Sequence, residues 1–313
     1  MKTPILFIIF NRPGTTAEAF AAIRERRPEK LYIAADGPRA GKPDDKWLTT
    51  EARAIVSQID WDCVVKRNYQ DENLGCKMGV AGAISWFFDH EPEGIIIEDD
   101  LVPAPSFFPF CEKMLEKYRH DSRVMMITGT NHLSDPDAEA PYFFSEHFTI
   151  WGWASWARAW KHYDVTMAQW NEPQNRRFFR YRFQDSYIAD HFVSTFGLIK
   201  DGMDTWDIQW VLACFLATGL CVTPTVNLVS NIGLVGTHSV SETTSHYLPV
   251  FALDLDKLDQ VTPAVHVNPA YDNALHALKS KPALQRRKWI KRARRLGLYT
   301  ILKTLYHMAR KVN

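Results

Sequence analysis

The sequence predicts an α/β protein with a mostly parallel central sheet flanked by helices and a basic helical extension at its C-terminal end. Short all-apolar runs, "ILFII", "LYIAA" and "GIII", alternate with longer stretches of helical periodicity. That is the pattern of strands covered on both faces by crossover helices. Each apolar run also ends in polar residues: Asn11-Arg12, Asp36-Gly37 and Glu98-Asp99-Asp100. In an open parallel sheet these positions share the carboxyl edge, where ligands bind. With 313 residues, 46% of them apolar and 23% charged, the chain can bury a substantial core.

The elements follow in order. "MKTPILFIIFNRPG" reads as a first strand and not a leader, because its apolar run stops at Asn-Arg-Pro without a small-residue cleavage site. "GTTAEAFAAIRERR" opens as a helix and "EKLYIAADGP" supplies the second strand, a βα unit closing on a parallel neighbour. "DDKWLTTEARAIVSQI" continues as a helix, "DCVVKRNY" as a third strand, and "NLGCKMGVAGAISWFFDH" as a helix leading into the strand "GIIIEDD". After Pro105 come a helix in "SFFPFCEKMLEKYRHD", a strand in "VMMITGT", the aromatic segment "YFFSEHFTIWGWASWARAW", a mostly helical region from His162 to Met203, and a helix in "DTWDIQWVLACFLATG".

Several classes are excluded. The five cysteines lack CxxC pairing, which argues against a disulfide scaffold or structural zinc and for a reducing compartment, the cytosol. Nothing approaches the roughly 20 apolar residues that cross a bilayer. Neither GxxxxGK[ST] nor a GxGxxG after the first strand occurs, so neither a P-loop nucleotidase nor a dinucleotide enzyme is supported. Charge is uneven: Lys279 to Asn313 hold 12 Lys and Arg with no acid, leaving 25 basic against 36 acidic residues before them.

Three adjacent acids after an apolar strand repel one another unless a cation sits among them. Hard divalent cations take oxygen ligands, and often only one or two protein carboxylates plus substrate phosphates. The crevice therefore suits a nucleotide diphosphate held with Mn²⁺ or Mg²⁺. Asp207 lies between Trp206 and Trp210 and is a candidate base; the alternative is an acid placed at a helix N-terminus by the helix dipole. His238, after a glycine-rich turn, is either a metal or phosphate ligand or a surface residue. Trp151, Trp153, Trp156 and Trp160 do not keep one helical face, and the residue pattern leaves core packing and sugar-ring stacking both open.

"IIIEDDLVPAPSFF" resembles the metal and diphosphate motif of GT-A fold nucleotide-sugar glycosyltransferases, in particular the N-acetylglucosaminyltransferase I family and its bacterial relatives. "PILFIIFNRP", "AADGP", "WGWASWARAW", "TWDIQW" and "NLVSNIG" with "GTHS" recur in the same order. The resemblance implies a GT-A domain over residues 1–247, with 1–105 as nucleotide-binding half and 106–247 as acceptor-binding half, then a connector over 248–281 and a basic amphipathic tail over 282–313. It implies that Asp100, with His238, ligates the metal, that Glu98 and Asp99 contact sugar and ribose, and that Arg12, Asp36 and Lys77 hold the nucleobase and phosphates. Asp207 would be the general base, with Asp204 as alternative because "TWDIQW" differs by a residue from the family spacing. Trp151, Trp153 and Trp156 would face the acceptor.

The function so implied is metal-dependent, inverting transfer of a sugar, N-acetylglucosamine by preference, from a UDP-sugar to a glycan or lipid-linked acceptor during surface polysaccharide assembly. A binding protein without turnover and a sugar nucleotidyltransferase are the alternatives. The tail joins basic residues to Trp289 and an apolar stripe, which fits attachment to an anionic membrane surface at the inner face of the cytoplasmic membrane; docking on its own chain is the alternative. No nucleic-acid module surrounds it.

Overall fold

The computed structural model describes residues 1–183, 186–200, 202–233 and 248–295. The chain divides into two compact units, Met1–Met167 with Asp204–Asp272, and Ala168–Met203 with Asn273–Asn313.

The first unit carries the sheet. Its first half runs β1 (Ile5–Ile9), α1 (Pro13–Arg26), β2 (Lys30–Ala35), α2 (Pro43–Ile55), β3 (Val64–Tyr69), α3 (Gly75–Phe88) and β4 (Glu93–Glu98). Then follow β5 (Leu101–Pro103), α4 (Phe107–Lys117), β6 (Val124–Thr128), β7 (Tyr142–Ser145), β8 (Trp153–Trp156) and the single turn α5 (Ala157–Trp160). The eight-stranded order is β3-β2-β1-β4-β8-β6-β9-β7, where β9 is Leu220–Pro224. Strands β3, β2, β1 and β4 are parallel, β8 is antiparallel to both its neighbours β4 and β6, β9 runs parallel to β6, and β7 closes the edge antiparallel. This is the mostly parallel sheet flanked by helices that the sequence predicts.

All five residues of β1 are buried because both faces are covered. Ile5, Phe7 and Ile9 join Phe20 and Ile23 of α1, Ala52 of α2 and Met114 of α4; Leu6 and Ile8 join Val80, Ile84 and Phe87 of α3. Alternation continues in β8, where Trp156 belongs to the first face and Trp153 to the second. The crossover from β3 back to β4 on the far side of β1 makes the β1/β4 boundary a topological switch point, so a crevice opens at its carboxyl edge.

Two shorter pieces frame that edge. A two-stranded ribbon pairs β5 with β10 (Val229–Asn231), and α8 (Asp207–Leu216) precedes β9. The unit ends with α9 (Lys257–Gln260) and the start of α10 (Pro269–Leu275).

The second unit is helical: a 3₁₀ turn (Ala168–Asn171), α6 (Pro173–Arg182), α7 (Ser186–Lys200), the end of α10, a π turn (His276–Ser280) and α11 (Lys281–Arg295). Its centre is aromatic, with Phe179 fully buried between Trp170 and Phe196. Lys288 of α11 pairs with Asp190 of α7 at 3.2 Å and covers the Tyr187 ring, while Trp289 is 53% exposed. Among the described residues no helix is long and apolar enough to cross a membrane.

Candidate active site

The carboxyl ends of β1, β2, β3 and β4 surround a cavity of about 220 Å³ lined by Ile8, Phe10, Ala34, Ala35, Val80 and Ala83 as well as by polar side chains. The apolar residues come from strands and from one face of α3, which is why they sit side by side. Arg12, Asp36, Glu98, Asp99 and Asp204, all singled out from sequence, line it.

The cation among the three acids is Arg12. Its Nη1 donates to Asp100 Oδ2 at 2.8 Å and its Nη2 to Asp99 Oδ1. Burial works against the guanidinium charge, but the two aspartates more than offset this and raise its pKa. Asp99 is locked, because its Oδ2 also accepts the Phe10 amide at 3.0 Å and the residue is 2% exposed. Among the described residues Glu98 forms no such ion pair of its own. Burial first, and the Asp100 charge second, push its carboxyl up to about 8 against the pull of Arg12.

Asp36 serves the loop before α3. Its carboxylate accepts the Gly37 and Leu74 amides, each at 2.8 Å, the Gly75 amide at 3.2 Å and Asn73 Nδ2 at 2.8 Å. Desolvation leads the causes and raises its pKa, although the amide donors pull the other way. Gly37 is required here because a Cβ would lie 2.5 Å from the Glu72 backbone. Gly75 adopts φ +80, and Asp204 Oδ2 would sit 2.9 Å from a Cβ there.

The two candidate bases are thereby distinguished. Asp204 caps α3, accepting the Cys76 amide at 3.1 Å and the Lys77 amide at 2.9 Å, one on each carboxylate oxygen. Asp207 opens α8 and, among the described residues, accepts a side-chain hydrogen bond from the Thr205 hydroxyl through Oδ1 alone. Its charge reaches Glu98, Cys76 and Tyr163, raising the pKa of each after desolvation. Lys77 is on the first turn of α3 and does not line the cavity; its backbone, not its ammonium, makes the contact with Asp204.

The aromatic segment is corrected by the structure. Trp153 and Trp156 are 0% and 1% exposed, so neither indole face is open to an acceptor. Trp156 donates Nε1 to Leu115 O at 3.2 Å. Trp153 stacks on Trp206 at 5.8 Å, and Trp160 lies 5.1 Å from Trp210 and 4.2 Å from Tyr163, whose hydroxyl donates to Trp206 O at 3.2 Å. These rings brace the start of α8 and thus the position of Asp207. Trp151 is half-buried beside His132, 5.6 Å between rings. His238 lies outside the described residues.

Sequence reasoning missed Arg39, Asn68, Gln70, Asn73 and Cys76, which also line the cavity. Arg39 is pinned over the Phe10 ring by Asp45, with Nε to Oδ2 at 2.6 Å and Nη2 to Oδ1 at 2.9 Å. Gln70 donates to Asn68 Oδ1 at 2.8 Å, presenting two side-chain amides at the end of β3. The signal available was their place after β2 and β3, the same criterion that singled out Asp36.

Among the described residues no three His, Cys, Asp or Glu side chains gather as a metal cage. A hard divalent cation does not need one where a diphosphate supplies oxygens. Asp100 fits that role: it commits one oxygen to Arg12, and its side chain is 17% exposed.

No family model and no curated protein matches the chain, so the likeness to the N-acetylglucosaminyltransferase I family rests on its motifs alone. Among solved structures the chain is similar to HddC from Yersinia pseudotuberculosis (10% identity, TM-score 0.27, covering 40% of this chain and 56% of that one). It is also similar to a UDP-glucose pyrophosphorylase complexed with UDP-glucose (10%, TM-score 0.30, 53% and 80%) and to mouse xyloside xylosyltransferase 1 in its apo form (9%, TM-score 0.34, 67% and 80%). The chain thus spans little over half of the first of these. At such TM-scores the overlap carries no weight, and the architecture stands on the strand order itself.

Proposed function

We propose that the protein transfers a sugar from a UDP-sugar to a glycan acceptor with inversion at the anomeric carbon. The observation that carries the reading is the convergence of Arg12, Asp36, Glu98 and Asp99 on one switch-point cavity that is apolar at its base and amide-lined at the end of β3, with Asp100 held beside it by Arg12. A flat base fits the apolar walls, and the Asn68 and Gln70 amides offer it donors and acceptors. Arg12 and the acids then lie on the diphosphate side. Asp100 would hold Mn²⁺ or Mg²⁺, which when bound neutralises charge on a departing diphosphate.

Asp207 is the proposed base. Inversion in one displacement needs a single carboxylate to take the acceptor hydroxyl proton. Asp204 has both oxygens committed to α3, whereas among the described residues Asp207 is held by one hydroxyl, and buried tryptophans brace it. The lean to N-acetylglucosamine comes from the motif resemblance, as does the placing of the enzyme in surface polysaccharide assembly. We place the protein in the cytoplasm, with its basic C-terminal segment against the anionic inner face of the membrane and the acceptor lipid-linked.

Incubation with a panel of labelled UDP-sugars, with and without Mn²⁺, tests the reading. Release of UDP with label moved to an acceptor or to water supports it. Binding without turnover points instead to a silent binding protein, and pyrophosphate release from a nucleoside triphosphate to a nucleotidyltransferase.

A further inference from the structure

Arg12 spans two acids of unequal standing. Asp99 has no room to change: its side chain is 3% exposed, and its two oxygens accept Arg12 Nη2 and the Phe10 amide. Asp100 is 17% exposed at its side chain and is joined to Arg12 by a single 2.8 Å bond from Nη1. The Arg12 side chain is 28% exposed, and the residue lines the cavity. Behind Asp100 the backbone closes in: the Ile232 amide donates to Asp100 O at 2.8 Å, and a Cβ on Gly233 would lie 2.4 Å from Asp100 Oδ2.

We propose that Arg12 is an exchangeable counter-ion: in the ligand-free protein it neutralises Asp100, and when a nucleoside diphosphate binds, its Nη1 turns to a phosphate oxygen and releases Asp100 to a divalent cation. The inference rests on the nucleotide-diphosphate reading of the cavity and adds an order to it. A cation arriving alone must displace a guanidinium from Asp100 and then sit beside that same positive charge, which stays anchored on Asp99. A diphosphate reverses both penalties, because its oxygens accept the freed Nη1 and surround the cation. Metal and nucleotide binding are therefore positively coupled, and by linkage each tightens the other by the same factor.

The test is Mn²⁺ binding followed by the electron paramagnetic resonance signal of the free ion, on the full chain, with and without UDP. For the wild type we expect weak binding of Mn²⁺ alone and binding tighter by about tenfold or more in saturating UDP, within the usual range of site coupling. Arg12→Met removes the competing charge and should strengthen nucleotide-free Mn²⁺ binding while flattening the UDP effect. Arg12→Lys, which keeps one charge but loses the fork that spans both acids, should fall between and guards against a folding defect in the first variant. Equal Mn²⁺ affinity with and without UDP in the wild type overturns the exchange, as does an Arg12→Met protein that binds Mn²⁺ alone no better than the wild type. A wild type that binds UDP but no Mn²⁺ in either condition also overturns it, and transfer assayed in EDTA then shows separately whether the glycosyl-transfer reading stands.

Discussion

At the scale of single residues, the site is decided by which carboxylates are already occupied. Asp207→Asn keeps shape and polarity but cannot take a proton, so UDP binding should persist while kcat falls by about 10²–10⁴, the usual worth of a general base. Calorimetric titration with UDP alongside single-turnover transfer separates the two effects. Loss of transfer with intact UDP binding in Asp204→Asn, and not in Asp207→Asn, would move the base to Asp204. Asp45 offers a stability test beside the site. It is 3% exposed, it accepts from Asn11 and from Arg39 side chain and backbone, and the Arg39 hydrogen bonds hold its pKa down at about 2. A lowered folded-state pKa stabilises above the ordinary carboxylate value and is lost as pH falls through the folded one. The pair should therefore add about 1–2 kcal/mol near neutrality, allowing for water at the half-exposed Arg39, and lose it between about pH 4 and pH 2. Urea unfolding of wild type and Asp45→Asn across that range checks this, since the difference between them should shrink as the pH drops.

At the scale of elements, two acids outside the run Glu98 to Asp100 fix where α3 begins. Asp36 holds the Leu74 and Gly75 amides and Asp204 holds those of Cys76 and Lys77, so between them they take four backbone donors that a helix start leaves without partners. Asp204→Ala should cost about 0.5–2 kcal/mol, the range for losing a helix cap. Amide hydrogen exchange should quicken at Cys76 and Lys77; unchanged protection there would mean that the cap contributes nothing. The tryptophan segment works the same way. Trp153→Ala removes a fully buried ring packed on Trp206 and Trp210 and should destabilise by about 3–5 kcal/mol. A variant with unaltered unfolding midpoint but raised acceptor KM would restore the acceptor-contact role.

At the scale of the whole molecule, charge follows the division into units. The helical unit has 17 Lys and Arg against 4 Asp and Glu, leaving 20 against 32 in the unit that carries the sheet. A net charge of +1 conceals two opposite objects. On α11 the exposed residues Lys288, Trp289, Arg292 and Arg295 recur at helical spacing, and the aromatic among them suits a lipid headgroup layer. Deleting residues 281–313 should leave transfer to soluble acceptors intact and abolish sedimentation with anionic vesicles, an attachment that should weaken as salt is raised. Persistent sedimentation of the truncated protein would refute that role.

The sequence by itself determined the βα alternation, the strands "ILFII", "LYIAA" and "GIII", and the carboxyl edge on which Arg12, Asp36 and Glu98 to Asp100 meet. Each of these is written locally, in apolar runs buried on both faces and polar residues that stop them. It did not show β8, because in "WASW" every side chain is buried and nothing alternates in polarity; only the neighbours β4 and β6 make that segment a strand. Nor could it say whether the tryptophans pack or face a ligand, since Trp153 is buried against Trp206 and Trp210 far along the chain, and Trp156, on the other face of the sheet, bonds Leu115, 41 residues back. The pairing of Arg12 with Asp99 and Asp100, 87 and 88 residues on, likewise exists only because β1 and β4 lie side by side. Local pattern records which residues prefer the interior or an edge, and tertiary structure alone decides which charge each of them meets there.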